Sequence, residues 1–522
     1  MGRAGLVAIV CCCAAACGSG GGPGVSGNIG VSPDGGVDAG SPGDGGGTPD
    51  AGPPDSGPGD AGPADGGPAD AGPPADAGPA GGGDWPQYRH DARGGSENSG
   101  VFAASEVPNL TAFWNPALEL GQYVYTQAVA AEGLVVYTTA FSGKLVAVDE
   151  ATGKERWPAK TLNAQISTTC GGAKQPGFWA AAAIASGVIY AASPDGNVYA
   201  LRASDGEKVW AARVADPSAA GHGEFVQSSP AVSAAHGRLY LGVASSEHCD
   251  EVAGRIVAVD LGTGAVQSRS LVNPGQQGAT IWSSIAVADD ENRLYATTGN
   301  RIGSAADEPL AQAFLAVDPT TLEVLDHWQN PTTLENADFG SSPTLVDAGG
   351  LKLVAATSKD GNLYVLRRDA LAAGPVWTAR IAVIDPAMPT MGGDPSAGFG
   401  SISTPVAAHG LLYAAGGRTP ADEPGSVTAF EPASGKVVWR RPMPGYVIAP
   451  LAAAGEILAA ESSSPDGSRS WLTILDAASG AVLRTFDGQI ATYAAPSIAH
   501  GLIFWTDAYG HAVALGVPAY RR

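Results

Sequence analysis

Gly133-Leu134-Val135-Val136-Tyr137, Gly143-Lys144-Leu145-Val146-Ala147-Val148-Asp149, Thr152-Gly153-Lys154 and Trp157 form one unit of a repeat. An apolar run ends in Tyr, a loop follows, a further run ends in Asp, and a Thr-Gly-Lys turn leads to a Trp. Similar units span 187–210, 237–266, 292–328, 352–377, 410–439 and 455–483, at a period of roughly 45 to 60 residues. Each holds four strand-length runs rich in Val, Ile, Leu and Tyr, punctuated by Gly, Asp and Ser. Four short strands per repeat at this period predict a propeller blade, and the scarcity of helix-type spacing excludes helical solenoids. The last unit, 495–515, has only three strands before the chain ends. An orphan strand, Leu110-Thr111-Ala112-Phe113-Trp114, precedes the first unit. Pairing the two closes a ring of eight blades and hides two edges. The fold class is therefore all-β: an eight-bladed propeller of four-stranded antiparallel blades over 84–522.

The chain of 522 residues carries a net charge of −22, and that balance argues against nucleic acid and against docking on anionic lipid. Nine aspartates and no basic residue lie between Gly18 and Gly83, a Gly/Pro/Asp/Ala-rich stretch with almost nothing to bury. Residues 18–83 are thus expected to be a disordered stalk spanning on the order of 45 Å. Before it, Arg3 and the short apolar run Leu6 to Val10 read as a signal peptide over 1–17. Ala14-Ala15-Ala16-Cys17-Gly18 resembles a bacterial lipobox, with Cys17 the acylated residue. The expected product is an exported lipoprotein of the cell envelope, a monomer, touching the membrane only through its anchor.

Asp84-Trp85-Pro86-Gln87-Tyr88-Arg89-His90-Asp91, the Asp-x-x-Thr-Gly-Lys-x-x-Trp motif and Asp338-Phe339-Gly340-Ser341-Ser342-Pro343 resemble quinoprotein propellers, among them polyvinyl-alcohol dehydrogenase and related alcohol dehydrogenases. The resemblance implies pyrroloquinoline quinone (PQQ) stacked on a tryptophan and chelating Ca²⁺ held by Glu and Asn, with an Asp as base. Matched positions are Trp282 for stacking, Glu247 and Asn300 for the metal, and Lys359 for a quinone contact. Antiparallel connectivity puts these residues in loops that open at one end of the ring. Each also has a structural reading: Trp282 as inter-blade packing, Glu247 as a solvated loop acid, Asn300 as a turn residue.

The base position departs from the pattern. The register of Glu335-Asn336-Ala337-Asp338-Phe339-Gly340 puts Asn336 where the family has Asp, and a neutral amide accepts no substrate proton. Asp338 offers a substitute base, an extra metal ligand, or merely a cap on the turn. No Cys-x-x-Cys-His haem motif is present, so electron transfer would need a separate acceptor. After processing, Cys170 and Cys249 remain, an even count that in an oxidising compartment favours a disulfide. Two function classes stand open: a PQQ-dependent dehydrogenase of an alcohol or sugar, or a non-catalytic propeller scaffold whose face binds a protein or ligand.

Overall fold

The computed structural model describes residues 83–98, 102–121, 123–162, 177–218, 223–245, 252–488 and 493–518. Cys17, the signal peptide, the stalk, Glu247, Cys170 and Cys249 lie outside these residues. Eight antiparallel sheets follow one another along the chain, each a blade of consecutive strands. Their first strands begin at 129, 183, 231, 286, 344, 406, 452 and 497, and each packs beside the first strand of the next blade, the eighth returning to the first. The ring is therefore closed. First strands are almost wholly buried, whereas fourth strands such as Lys208–Arg213 and Val437–Met443 alternate exposed and half-buried residues and form the rim.

Closure follows the expected pairing. Thr111 and Ala112 lie antiparallel to Gly516 and Leu515, and a further strand, Leu118–Glu119, pairs with the same last strand. The edge that the eighth blade would expose is covered by chain from its own beginning. Among the described residues no helix is long and apolar enough to cross a membrane.

The repeat motif acts between blades rather than within one. Within the turn, Asp149 Oδ1 accepts from the Thr152 backbone N–H and hydroxyl at 3.0 and 2.8 Å, and Asp260 does the same for Thr263. The following Gly adopts a left-handed φ and presents a bare surface to the Trp of the preceding blade. Trp157 lies over Gly206, Trp210 over Gly264, Trp377 over Gly435, Trp439 over Gly480, and Trp114 of the closing segment over Gly153. The indole N–H donates to a carbonyl of that same neighbouring blade: Trp157 to Ala203 at 3.0 Å, Trp439 to Ala477 at 3.0 Å, Trp114 to Glu150 at 2.9 Å.

A second set of contacts runs around the axis. The N–H of Ala181 donates to Ser229 Oγ, Ser229 N–H to Ser284 Oγ, Ser284 N–H to Ser342 Oγ, and Ser342 N–H to Thr404 Oγ1, at 2.8–3.1 Å. These hydroxyls satisfy buried donors and fix the register of adjacent blades. The Trp85–Asn98 segment then crosses the opposite end of the ring. Its carbonyls and side chains bond to blades 1 to 5, 7 and 8, with Arg89 buried and its Nη2 donating to the Pro343 carbonyl at 2.9 Å.

Blade 7 contains a charge-bearing side chain with little to satisfy it. Glu461, on the strand Ile457–Ser463, is wholly buried; Ser463 Oγ lies 3.4 Å from its Oε1, and Oε2 has no partner among the described residues. Burial pushes its carboxyl well above the usual range.

Two outcomes test this architecture. Gly480 has φ +68 and an added Cβ would lie 2.5 Å from the Trp439 ring, whereas Gly467 has φ +67 and open space around it. Gly467→Ala should cost about 1 kcal/mol for the backbone alone, and Gly480→Ala about 2 kcal/mol more; equal shifts in the urea midpoint would remove the indole contact from the account. For Glu461, the folded state holds a proton that the unfolded chain releases, so stability falls as pH rises above the ordinary glutamate range. Glu461→Gln should flatten the decline in Tm from pH 5 to 8 and raise Tm at the upper end. A Tm–pH slope unchanged by the substitution would contradict a protonated Glu461.

Candidate functional site

In each blade the loop into the first strand and the loop between second and third strands open at the same end of the ring. Trp282 and Asp338 occupy the former loops of blades 4 and 5. Asn300 and Lys359 occupy the latter loops of the same blades. Lys359 is held by Ser358-Lys359-Asp360-Gly361, a turn closed by the Gly361 N–H donating to the Ser358 carbonyl at 2.9 Å, with Gly361 at φ +87. Ser358 Oγ donates across to the Ala337 carbonyl at 3.0 Å, which ties this turn to the segment carrying Asp338.

Four of the residues expected at the site, together with Asn336, form one connected cluster. The Trp282 indole N–H donates to Asp338 Oδ2 at 2.7 Å. Lys359 Nζ lies 2.8 Å from Asp338 Oδ1, donates to Asn336 Oδ1 at 3.1 Å, and sits 4.9 Å from the Trp282 ring centroid. Asn300 Nδ2 donates to the same Asn336 oxygen at 2.9 Å. The Asp338 side chain is 3% exposed and that of Lys359 15%, so the pair is largely removed from water. Charge pairing, an indole hydrogen bond and a cation–π contact together offset its desolvation.

Asn336 and Asp338 differ in conformation and in contacts. Asn336 sits at φ +52, a left-handed conformation that Asn tolerates, and its amide oxygen takes two donors. Asp338 supplies the only carboxylate in the cluster as described, held on both oxygens by Lys359 and Trp282. The left-handed turn residue is thus Asn336, since Asn300 is not among the positive-φ positions. Trp282 also packs over a glycine of the next blade, Gly340, but from the loop into a first strand near the axis rather than from the rim.

Gln312 was not anticipated. Its Nε2 lies 3.4 Å from Asn300 Oδ1, and its own buried Oε1 has no partner among the described residues. A left-handed non-glycine residue opening the third strand is invisible to strand periodicity, and no motif marks it. Gly392 and Gly393 brace the cluster from the blade 5 to 6 loop. Gly393 N–H donates to the Lys359 carbonyl at 2.6 Å, and a Cβ at Gly392 would collide with the Asn336 backbone.

The oxygens of Asn300, Asp338 and Gln312 suit a hard cation, the ammonium of Lys359 suits a quinone oxygen, and Trp282 offers a partly exposed ring face. The orphaned Gln312 Oε1 beside Asn300 is the observation that fits an added ligand. Among the described residues no group of three or more His, Cys, Asp or Glu gathers in metal-binding geometry. The ligand set here is mixed amide and carboxylate, and Glu247 lies outside the described residues.

A family model described as outer membrane protein assembly factor BamB matches residues 88–368 and 364–517. Quinohemoprotein alcohol dehydrogenase ADH IIB of Pseudomonas putida is 25% identical over 306 residues, 51% of this chain and 43% of that protein. Quinohemoprotein alcohol dehydrogenase of Comamonas testosteroni is 24% identical over 266 residues, 43% of this chain and 36% of that protein. The chain thus spans less than half the length of the curated relatives it matches. Among solved structures, the Comamonas testosteroni enzyme superposes with TM-score 0.60 at 18% identity, covering 83% of this chain and 80% of the other. A europium-containing methanol dehydrogenase gives TM-score 0.63 at 16% identity, with 80% and 87% covered. BamB from Moraxella catarrhalis gives 0.50 at 15%, with 78% and 98% covered. These structural likenesses establish the fold.

The buried pair makes a direct prediction. Lys359→Met strands the Asp338 carboxylate and should cost about 3 kcal/mol, while Lys359→Met with Asp338→Asn should recover most of that loss. Additive losses in denaturation of the two single variants and the double would mean the ion pair is not coupled.

Proposed function

The chain belongs to the propeller family whose model is described as outer membrane protein assembly factor BamB, and within that fold we propose that its propeller is an exported, PQQ- and Ca²⁺-dependent dehydrogenase of an alcohol. The observation that carries the reading is the convergence of Trp282, Asn300, Asp338 and Lys359 from four separate loops onto one hydrogen-bonded cluster. The quinohemoprotein alcohol dehydrogenases among its relatives support the same chemistry.

When bound, PQQ supplies the two-electron acceptor that converts an alcohol to its carbonyl compound. The chain's own residues do the rest. Trp282 offers a flat floor, and Lys359 sets a positive charge beside it. Asn300 and Gln312, with Glu247, would be the oxygen donors for Ca²⁺. Asp338, as an ion-paired carboxylate, accepts the hydroxyl proton, and its two partners hold it in orientation. Turnover would require a separate electron acceptor. Acylation at Cys17 and a stalk over 18–83 would tether this domain to the envelope, and a Cys170–Cys249 disulfide would restrain the Glu247 loop.

A second reading, a non-catalytic envelope scaffold whose exposed face binds a protein or another ligand, is favoured by the neutral Asn336. Polar groups of Lys359 and Trp282 already satisfied inside the cluster point the same way.

Reconstitution separates the two. PQQ with Ca²⁺ at about 100 times Kd should stabilise the native state by about 2.7 kcal/mol, read as a rise in Tm. Glu247→Ala and Asn300→Ala should abolish the rise. Asp338→Asn should keep it and lose dye-linked alcohol oxidation by about 10²–10⁴-fold. If Asn336 is what limits turnover, Asn336→Asp should raise it. A melting curve indifferent to saturating PQQ and Ca²⁺ selects the scaffold.

A further inference from the structure

The residue four positions before each first strand is equivalent in all eight blades, because the strands begin at matching points of the ring. In blades 4, 8, 1 and 2 this residue is aromatic: Trp282, Tyr493, Tyr125 and Trp179. In blades 6 and 7 it is Ile402 and Ile448, in blade 3 Gln227, and in blade 5 Gly340, whose missing side chain leaves room for the Trp282 indole. All but Ile448 are partly exposed, yet the residues next to them in sequence, where described, are buried. That alternation marks them as the lining of an opening on the axis, at the end that carries Asp338 and Lys359.

The aromatic members outside blade 4 form a continuous wall. Ring centroids of Tyr125 and Trp179 are 4.9 Å apart, Tyr125 and Tyr493 5.7 Å, and Trp179 and Tyr493 6.3 Å. Phe141 and Tyr123 extend the wall outward at 6.1 Å from Tyr125, and Tyr509, 38% exposed, ends it at 5.7 Å from Tyr123. Six rings from blades 8, 1 and 2 thus form one contiguous surface, three of them at positions equivalent to Trp282, and no equivalent position carries a charge. A sugar would ask for several hydrogen-bonding side chains at this level. The ring of equivalents supplies an amide at Gln227, the phenol hydroxyls of Tyr125 and Tyr493 and the indole N–H groups of Trp179 and Trp282, the last already given to Asp338, so ring surface outweighs polar atoms. An apolar ring asks for stacked and edge contacts, which the wall supplies.

We propose that this aromatic wall is the substrate-recognition surface of the axial opening, and that the alcohol it selects carries an aromatic ring. The substrate assignment rests on the oxidation reading above; the binding site itself rests on Tyr125, Trp179 and Tyr493. Binding of a ring there brings a hydroxyl-bearing ligand to the end of the axis where Asp338 lies.

The test is equilibrium binding to the full chain, by calorimetry or ligand-observed NMR, with benzyl alcohol, butan-1-ol and glucose, each with and without PQQ and Ca²⁺. Benzyl alcohol should bind tightest. Trp179→Leu should weaken it about tenfold while leaving the cofactor-induced Tm rise intact. Tyr125→Leu provides the same readout from a second position should the first variant fail to fold. Equal affinity for the three ligands, or a benzyl alcohol affinity untouched by either folded variant, overturns the proposal. Ring binding that depends on Trp179 in a chain that takes up no PQQ keeps this site and removes the oxidation reading alone.

Discussion

The contact on which this propeller depends is an indole laid over a glycine of the next blade. A four-stranded blade is too thin to bury both its faces, so each must be covered by a neighbour at a fixed angle and height. Trp and Gly meet this need at the rim, where the sheets splay apart: the indole fills the gap and its N–H anchors to a carbonyl of the same turn. At the axis, where the strands crowd together, serine and threonine hydroxyls join the segment entering one first strand to that entering the next. Large rings outside and small hydroxyls inside match the wedge shape of the space between blades.

Because the frame is held at rim and axis, the loops at its ends are free to vary. The candidate site uses this freedom. Blades 4 and 5 carry the paired loops that bring Trp282, Asn300, Asp338 and Lys359 together, while blades 8, 1 and 2 carry aromatic rings at the equivalent level. One architectural position therefore does two jobs, depending on which side chain it bears: Trp282 helps to hold a carboxylate, and Trp179 packs in a wall of rings.

Much of the fold was legible in the sequence because blade formation is local: Tyr137, Asp149, Gly153 and Trp157 recur in order within one unit. The closing pairing of Thr111 and Ala112 was legible too, since an orphan strand and a short last unit had no other use. The partner of each Trp was not, because it lies in the following unit some fifty residues on. At the site, the shared end of Trp282, Asn300 and Lys359 followed from antiparallel connectivity alone. What sequence could not supply was that Asn336 and Asp338 both meet Lys359, brought to it by a left-handed turn at Asn336. The ring of equivalents around the axis stayed hidden for a related reason. Only a common offset from eight strand beginnings relates Tyr125 to Trp179, and strand beginnings are the least visible feature of a sequence.

The Trp85–Asn98 segment, the first part of the propeller to be made, finds its partners in nearly every blade, including Ala453 and Ile498 near the chain's end. The closing strand at Thr111 likewise waits for Gly516. The segment gains partners blade by blade, but its bond to Ile498 and the pairing of Thr111 with Gly516 form only when the final blade exists, so ring closure rests on contacts of large sequence separation. A chain emerging N-terminus first gives Arg89 its carbonyls only at blade 5 and leaves the first blades with no ring to join until blade 8. The ring therefore locks from its two ends at once: a cut or deletion in the last blade would open the seam at Thr111 and also loosen the Trp85–Asn98 segment that spans the other blades.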